Sequence, residues 1–339
     1  MRQARVDLRR LGWCLLLALC VVARAQDSPG PTGAGAGTDK PAGTDKPKTQ
    51  KQEPTFRVNV RLVNVFTTVT DSHGAPVAGL AKSDFQILED GVPQTISVFD
   101  QESEMPLSIA LEVDTSESTR RDAELEAISA RKFVHSIMRP IDHLAVFQVS
   151  ENIDQVTGFT ADLHVIDRGI ANLQRGAGTS LYDAIFLGAE ALIPREGRKV
   201  LVLITDGGDT TRQADYDGAL RRAQQAEALV YSIILVPVAN DAGRNLGGEH
   251  ALIQISKDTG GKYYYAESIE QLDEAFRQIS KELRTQYLIG YYPNRKAGES
   301  PFHRIQVQVN RQDGEGKAYQ VRHRAGYYWM PAREGMVSK

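Results

Sequence analysis

The stretch Leu107-Ser108-Ile109-Ala110-Leu111-Glu112-Val113-Asp114-Thr115-Ser116-Glu117-Ser118 reads as a buried strand running into a polar loop that opens a helix. Its apolar run lacks the strict in-out alternation of a strand with one wet face. Such near-continuous runs belong to strands of parallel sheets covered on both sides. The loop then supplies Asp114, Ser116 and Ser118 in a D-x-S-x-S pattern.

Similar apolar runs recur at 144–149, 200–204, 230–235 and 263–265. Amphipathic stretches alternate with them at about 119–138, 163–174, 181–193, 213–228, 249–259 and 269–284. Alternation of this kind predicts a doubly wound, mostly parallel α/β sheet over residues 104–285. The flanks have a different, two-residue period. Phe56, Val58, Val60 and Leu62 alternate and lead into strand-favouring residues that end at the turn Asp71-Ser72-His73-Gly74. Residues 85–88 and 95–99, around Glu89-Asp90-Gly91, predict a hairpin. Further strand patterns appear at 287–292, 304–309 and 319–323. Neither flank alone offers enough strands for a core. Residues 56–103 and 286–330 are therefore expected to form one small β-sandwich-like module into which the α/β region is inserted.

Open α/β sheets bind ligands at the carboxyl ends of their strands, where the strand order reverses. Three loops sit at such ends: Asp114 to Ser118, Gly176-Ala177-Gly178-Thr179-Ser180, and Thr205-Asp206-Gly207-Gly208-Asp209. Each alone has a plain structural reading. Asp and Ser before a helix satisfy its orphan N–H groups, T-D-G ends a strand in a turn, and G-x-G is a tight loop. Together, in this order, the three loops bring only oxygen ligands to one edge of a sheet, a set suited to a hard cation. Asp183 and Asp209 are read as groups that start helices or support the site, not as ligands.

This combination resembles the von Willebrand factor A domains, which integrin inserted domains and many bacterial envelope proteins share. The likeness extends over about 106–285. It implies a metal-ion-dependent adhesion site made of Asp114, Ser116, Ser118, Thr179 and Asp206. Ser116 and Ser118 would ligate directly, and Thr179, Asp114 and Asp206 directly or through water. The implied ion is Mg²⁺, with Mn²⁺ or Ca²⁺ as alternatives. Mg²⁺ takes about six oxygens in near-octahedral geometry, and hydroxyls supply oxygen without charge. With the carboxylates mostly beyond the first ring of ligands, the ion keeps its charge, and an exchangeable position favours an acidic group of a partner. The flanks, with GLAKSDFQILEDG at 79–91 and LIGYYP at 288–293, resemble a bacterial family of secreted A-domain proteins abundant in acidobacteria.

Residues 1–25 read as a secretory signal: Arg2, Arg5, Arg9 and Arg10, an apolar run at 11–22, then Ala23-Arg24-Ala25 as a small-x-small cleavage site. The run is too short for a membrane span, which needs about 20 residues. A lipid on Cys20 is the alternative, and the bulk of Leu19 argues against it. Both cysteines, Cys14 and Cys20, fall in this segment, so the exported chain has no thiol for a disulfide, a zinc knuckle or a nucleophile. Removing the segment takes away five Arg and one Asp, which moves the net charge from −3 to −7. An acidic chain is poorly suited to nucleic acid. Residues 26–54, with AGTDKP repeated at 36–41 and 42–47, have almost no apolar side chains and are expected to be a disordered linker.

Other chemistries find little support. No G-K-[S/T] follows Gly176-Ala177-Gly178, and no G-x-S-x-G elbow occurs. His135, His143, His164 and His250 lack paired metal-ligand spacing. The runs Tyr263-Tyr264-Tyr265, Tyr291-Tyr292 and Tyr327-Tyr328-Trp329 are read as strand and core residues. The expected function is metal-dependent adhesion or protein binding, outside the cell or at its envelope, through an acidic ligand group and without catalysis. The alternatives are a metal-independent structural or assembly role and a metal-dependent hydrolase.

Overall fold

A computed structural model describes residues 62–101, 104–117, 119, 123–210, 213–236, 245–294 and 300–329. All of these belong to one unit, Arg57–Lys339. The signal and linker segments, residues 56–61 and Ser118 lie outside the described residues.

The first strands are β1 (Val63–Thr70), β2 (Phe85–Glu89), β3 (Val92–Gln94) and β4 (Ile96–Gln101). The turn after β1 is closed by Asp71, whose Oδ1 accepts from the backbone N–H groups of His73 and Ala75 at 2.9 and 2.8 Å. Asp90-Gly91 joins β2 to β3 with φ of +47° and +82°, the left-handed pair that a two-residue hairpin turn requires. The expected hairpin differs in its second arm. β2 pairs with β3, whereas β4, which holds residues 96–99, crosses to the other sheet and pairs with a C-terminal strand.

The middle of the chain contains β5 (Leu107–Asp114), α1 (Ala123–Ile137), β6 (His143–Val149), β7 (Ile153–Thr160), α2 (Leu163–Ala171), α3 (Leu181–Leu192) and β8 (Arg198–Thr205). It continues through α4 (Tyr216–Ala226), β9 (Ala228–Leu235), α5 (Leu246–Thr259), β10 (Tyr263–Ala266) and α6 (Ile269–Thr285). Six strands form one sheet in the order β10-β9-β8-β5-β6-β7. It is parallel throughout except for β7, which runs antiparallel on the β6 edge. One face packs against α1, α2 and α6 through residues such as Phe133, Ile166 and Phe276, and the other against α3, α4 and α5 through Ile185, Ala223 and Leu252. This is the doubly wound α/β fold. β7 escaped the sequence reading because its outward face is polar and its apolar positions are few.

Four more strands follow: β11 (Tyr287–Tyr291), β12 (Phe302–Val309), β13 (Gln320–Arg322) and β14 (Gly326–Tyr328). They combine with the N-terminal strands into two sheets, β13-β1-β11-β4 and β14-β12-β2-β3. Val65, Phe85, Ile87, Ile289, Tyr291 and Val307 pack in a common core between them.

Where the α/β region adjoins these sheets, α6 ends in a buried polar cluster. Glu282 Oε1 accepts from Tyr231 Oη at 2.5 Å, from Thr68 Oγ1 at 3.5 Å and from the guanidinium of Arg322. Gln286 Nε2 donates to Thr68 Oγ1 at 3.1 Å, and the fully buried Arg198 donates to Leu283 O. Residues 104–285 alone lack Thr68, Gln286 and Arg322. That fragment should fold but melt below the full chain, as calorimetry will record. A fragment that stays unfolded while longer chains fold would mean that the inserted region is not a domain of its own.

Glu112, in the middle of β5, is fully buried, and neither carboxyl oxygen has a hydrogen-bond partner among the described residues. It fits because α3 carries Gly188 opposite: a Cβ there would lie 1.9 Å from Glu112 Oε1. Burial pushes its pKa from 4.5 up to about 8. The folded state therefore holds a proton that the unfolded state releases, so stability present below pH 4.5 is lost as pH rises toward about 8. Glu112→Gln should match wild type near pH 5 and exceed it by about 1–4 kcal/mol above pH 8, in chelator, by denaturant unfolding. Identical pH dependence in the two proteins would contradict this.

Candidate functional site

β5 and β8 are adjacent and parallel, with Val113 opposite Ile204, so their carboxyl ends lie side by side. Since β6 and β8 flank β5 on opposite sides, the strand order reverses here, the place where open sheets form a crevice. Asp114 closes β5 and is almost fully buried at 1% exposure. Its Oδ2 accepts from Thr205 Oγ1 at 2.6 Å and its Oδ1 from Ser116 N at 2.9 Å. Thr119 Oγ1 donates to Asp114 O and Ser116 O, both at 3.1 Å, and so closes the loop behind the strand.

The loop after β8 turns at Gly207, in left-handed conformation at φ +81°. Gly207 N donates to Thr205 Oγ1 at 3.1 Å, and Gly208 N donates to Asp206 Oδ1 at 3.0 Å. The α5 N-terminus sits against this turn: a Cβ on Gly248 would lie 1.8 Å from Gly207 O. Thr179 arrives on the loop before α3 and is fastened to the residues after Asp206. Its N–H donates to Thr210 Oγ1 at 2.9 Å, and its carbonyl accepts from Thr210 N at 2.8 Å. Asp206 Oδ1 and Thr179 Oγ1 converge on Gly208, lying 3.2 and 3.9 Å from where a side chain there would begin.

Asp114, Ser116, Thr179 and Asp206 thus share one edge of the sheet, and Ser118 lies outside the described residues. Burial raises the pKa of Asp114, the hydrogen bonds from Thr205 and Ser116 lower it, and the charge of Asp206 raises it again, with a net upward shift. Two carboxylates that repel each other beside serine and threonine hydroxyls are a donor set chemically suited to a hard divalent cation. Asp209 Oδ1 accepts from Leu181 N, at the start of α3, at 3.0 Å, and Asp183 Oδ1 accepts from Ala214 N, in the loop before α4, at 2.8 Å. A cavity of about 300 Å³ adjoins the site between α1 and α2. Asp114, Glu124 and Glu126 line it against Arg131 and Arg175, a balance that does not favour an anion.

In the sequence Thr205 is no more than the end of a strand, whereas in the structure it bridges Asp114 to the Gly207 turn. Glu89, Asp90 and His303, up to 214 positions apart, come together with no local pattern to mark them. His303 Nδ1 lies 3.0 Å from Asp90 Oδ2 and 3.8 Å from Glu89 Oε1. Tyr291 Oη and Tyr327 Oη donate to Glu89 Oε2 at 2.7 and 3.1 Å. This cluster ties the β2–β3 turn to β12. His135 does similar service between α1 and α2, with Nε2 3.0 Å from Asp167 Oδ2.

Residues 109–208 match the model of the von Willebrand factor type A domain family. The matched region begins in β5 and includes Asp114, Ser116, Thr179 and Asp206, and over it the chain is similar to von Willebrand factor A domains. No curated protein matches the sequence. Among solved structures, a von Willebrand factor type A protein from Catenulispora acidiphila is 12% identical with a TM-score of 0.47, covering 82% of this chain and 76% of its own. The PilB minor pilin from Streptococcus sanguinis is 14% identical with a TM-score of 0.43, and 54% of this chain spans 62% of the pilin's. The von Willebrand factor domain of the type V pili tip protein Mfa5 from Porphyromonas gingivalis is 12% identical with a TM-score of 0.43, covering 52% of this chain and 94% of its own.

Thr205→Val keeps the shape of a fully buried side chain and deletes both the donor to Asp114 and the acceptor for Gly207. It should destabilise the protein by about 1–3 kcal/mol in chelator, because two buried groups lose their partners. Denaturant unfolding with no change in midpoint would show that the bridge contributes nothing.

Proposed function

We propose that this chain is a metal-dependent adhesion or protein-binding module. A divalent cation, Mg²⁺ or else Mn²⁺ or Ca²⁺, is held by Asp114, Ser116, Ser118, Thr179 and Asp206 and captures an acidic group of a partner. The observation that carries this reading is the meeting of Asp114, Ser116, Thr179 and Asp206, from three loops, at the carboxyl edge of the sheet. The donor set is all oxygen and half of it is uncharged, which suits an ion that keeps net charge for its partner. Both oxygens of Asp114 already accept hydrogen bonds from the protein. That supports a role for Asp114 through water, with the hydroxyls nearer the ion. The family match over 109–208 agrees with this reading. We read the module as one that holds its partner without turnover, and as exported or at the envelope, on the strength of the signal-like segment at 1–25.

The reading is tested with Ser116→Ala and Asp206→Ala. Mg²⁺ should raise the melting temperature of wild type by mass action, and both variants should show a smaller rise or none, with weaker calorimetric binding. In metal-free buffer each should differ from wild type by no more than about 0.5–2 kcal/mol, the size of a lost cap. Asp206→Ala relieves repulsion on Asp114 and should lie at the mild end. Capture of partners from envelope extract in Mg²⁺ should be lost in chelator and in both variants. Wild-type metal response in both variants would remove the site, capture that ignores chelator would favour a structural docking role, and turnover on a substrate panel lost with either variant would favour a hydrolase.

A further inference from the structure

We propose that Glu151, on the turn between β6 and β7, is a positioning residue for the cation site, fixing the loop that presents Thr179. This rests on the reading of Asp114, Ser116, Thr179 and Asp206 as a cation site. Glu151 Oε2 accepts from Ala177 N at 2.7 Å and from Gly178 N at 3.1 Å, the two residues immediately before Thr179. Immediately after it, Ser180 gives its hydroxyl to Glu151 O at 2.9 Å and its N–H to Ser150 O at 2.8 Å. Thr179 is thus bracketed by attachments to a single turn.

The backbone leaves little slack there. A Cβ at Gly176 would lie 2.2 Å from Ser150 Cβ and 2.7 Å from Glu151 Oε2, and one at Gly178 would lie 2.6 Å from Thr210 Oγ1. Ser180 is the N-cap residue of α3, yet its side chain does not cap the helix and its hydroxyl is turned to Glu151 O instead. The Thr179 loop is also joined to the first loop, since Gly176 N donates to Thr115 O at 3.2 Å, and Thr115 N in turn donates to Val149 O at the end of β6 at 2.8 Å. Among the described residues Glu151 has no ion-pair partner. Its carboxylate is solvent-facing, and its own N–H, with those of Gly178 and Ala177, holds its pKa below the ordinary carboxylate value. Residues that orient a metal's ligands typically change affinity about 10–100-fold when removed.

Mg²⁺ titration calorimetry of the full chain, with melting in chelator, tests the assignment on Glu151→Ala, Glu151→Gln, Thr179→Ala and the double variant Glu151→Ala/Thr179→Ala. Glu151→Ala should weaken Mg²⁺ about tenfold or more while melting in chelator close to wild type. Glu151→Gln, whose amide oxygen accepts the same two N–H groups, should restore most of the affinity. The double variant should bind no more weakly than Thr179→Ala alone, because the loss runs through Thr179. Should Glu151→Ala fail to fold, Glu151→Asp, one methylene too short to reach the loop, takes its place. Wild-type affinity in Glu151→Ala, a Gln variant as weak as Ala, or additive losses in the double variant would each overturn the assignment. A wild-type protein that binds no Mg²⁺ would instead sink the cation site itself.

Discussion

A carboxylate buried at the carboxyl edge of a parallel sheet is costly unless donors or a counter-ion offset its charge, and Asp114 is such a carboxylate. One of its donors, Thr205, comes from the neighbouring strand β8, and the other, Ser116, from its own loop. The first depends on β5–β8 register, with Val113 facing Ile204. Side chains along a strand alternate between faces, so a slip of one residue would turn Asp114 away from Thr205 and its own neighbours into the opposite core. The two apolar cores on either face of the sheet prevent that slip. Packing far from the site therefore sets the positions of the two carboxylates that meet in it.

The parts of this arrangement visible in the sequence are those that involve short range and strong pattern. The run Leu107 to Val113 has too few polar residues for anything but a buried strand, and Asp114 and Ser116 follow it directly. The helices at 163–174, 181–193 and 269–284 lie within a few residues of α2, α3 and α6 because their apolar stripes are broad. β7 was not visible, since an edge strand with a polar outer face yields few apolar positions in a row. Nor was the true partner of β4: local spacing suggests a hairpin with β2, but Tyr287 to Tyr291, far along the chain, offers a buried surface that the hairpin cannot match. His303 and Glu89 meet for the same reason, across a distance in sequence that no local pattern records.

Acidic groups in this molecule show how differently burial is tolerated. Glu282 is buried with Tyr231, Thr68 and Arg322 as donors, and it joins the end of α6 to strands from both flanks. Glu112 is buried as deeply without such donors and keeps its proton to near neutral pH. The difference lies in location. α6 ends against β1, β9 and β13, which supply the donors, whereas Glu112 on β5 faces Gly188 and Leu201 in an apolar core.

The candidate site consequently has a half carried by the sheet and a half carried by a loop. Asp114 and Asp206 are carried by adjacent strands of a sheet held in register by its cores, so their spacing follows from the fold. Thr179 arrives on a loop of small residues, and its place depends on a few hydrogen bonds to the β6–β7 turn and to Thr210. Disturbing the strand half unsettles buried partners and registers in folding stability. Disturbing the loop half alters the distance of one hydroxyl from two carboxylates and leaves the core intact. The two halves are therefore held by different contacts: the sheet and its cores place the carboxylates, and the β6–β7 turn with Thr210 places the hydroxyl of Thr179.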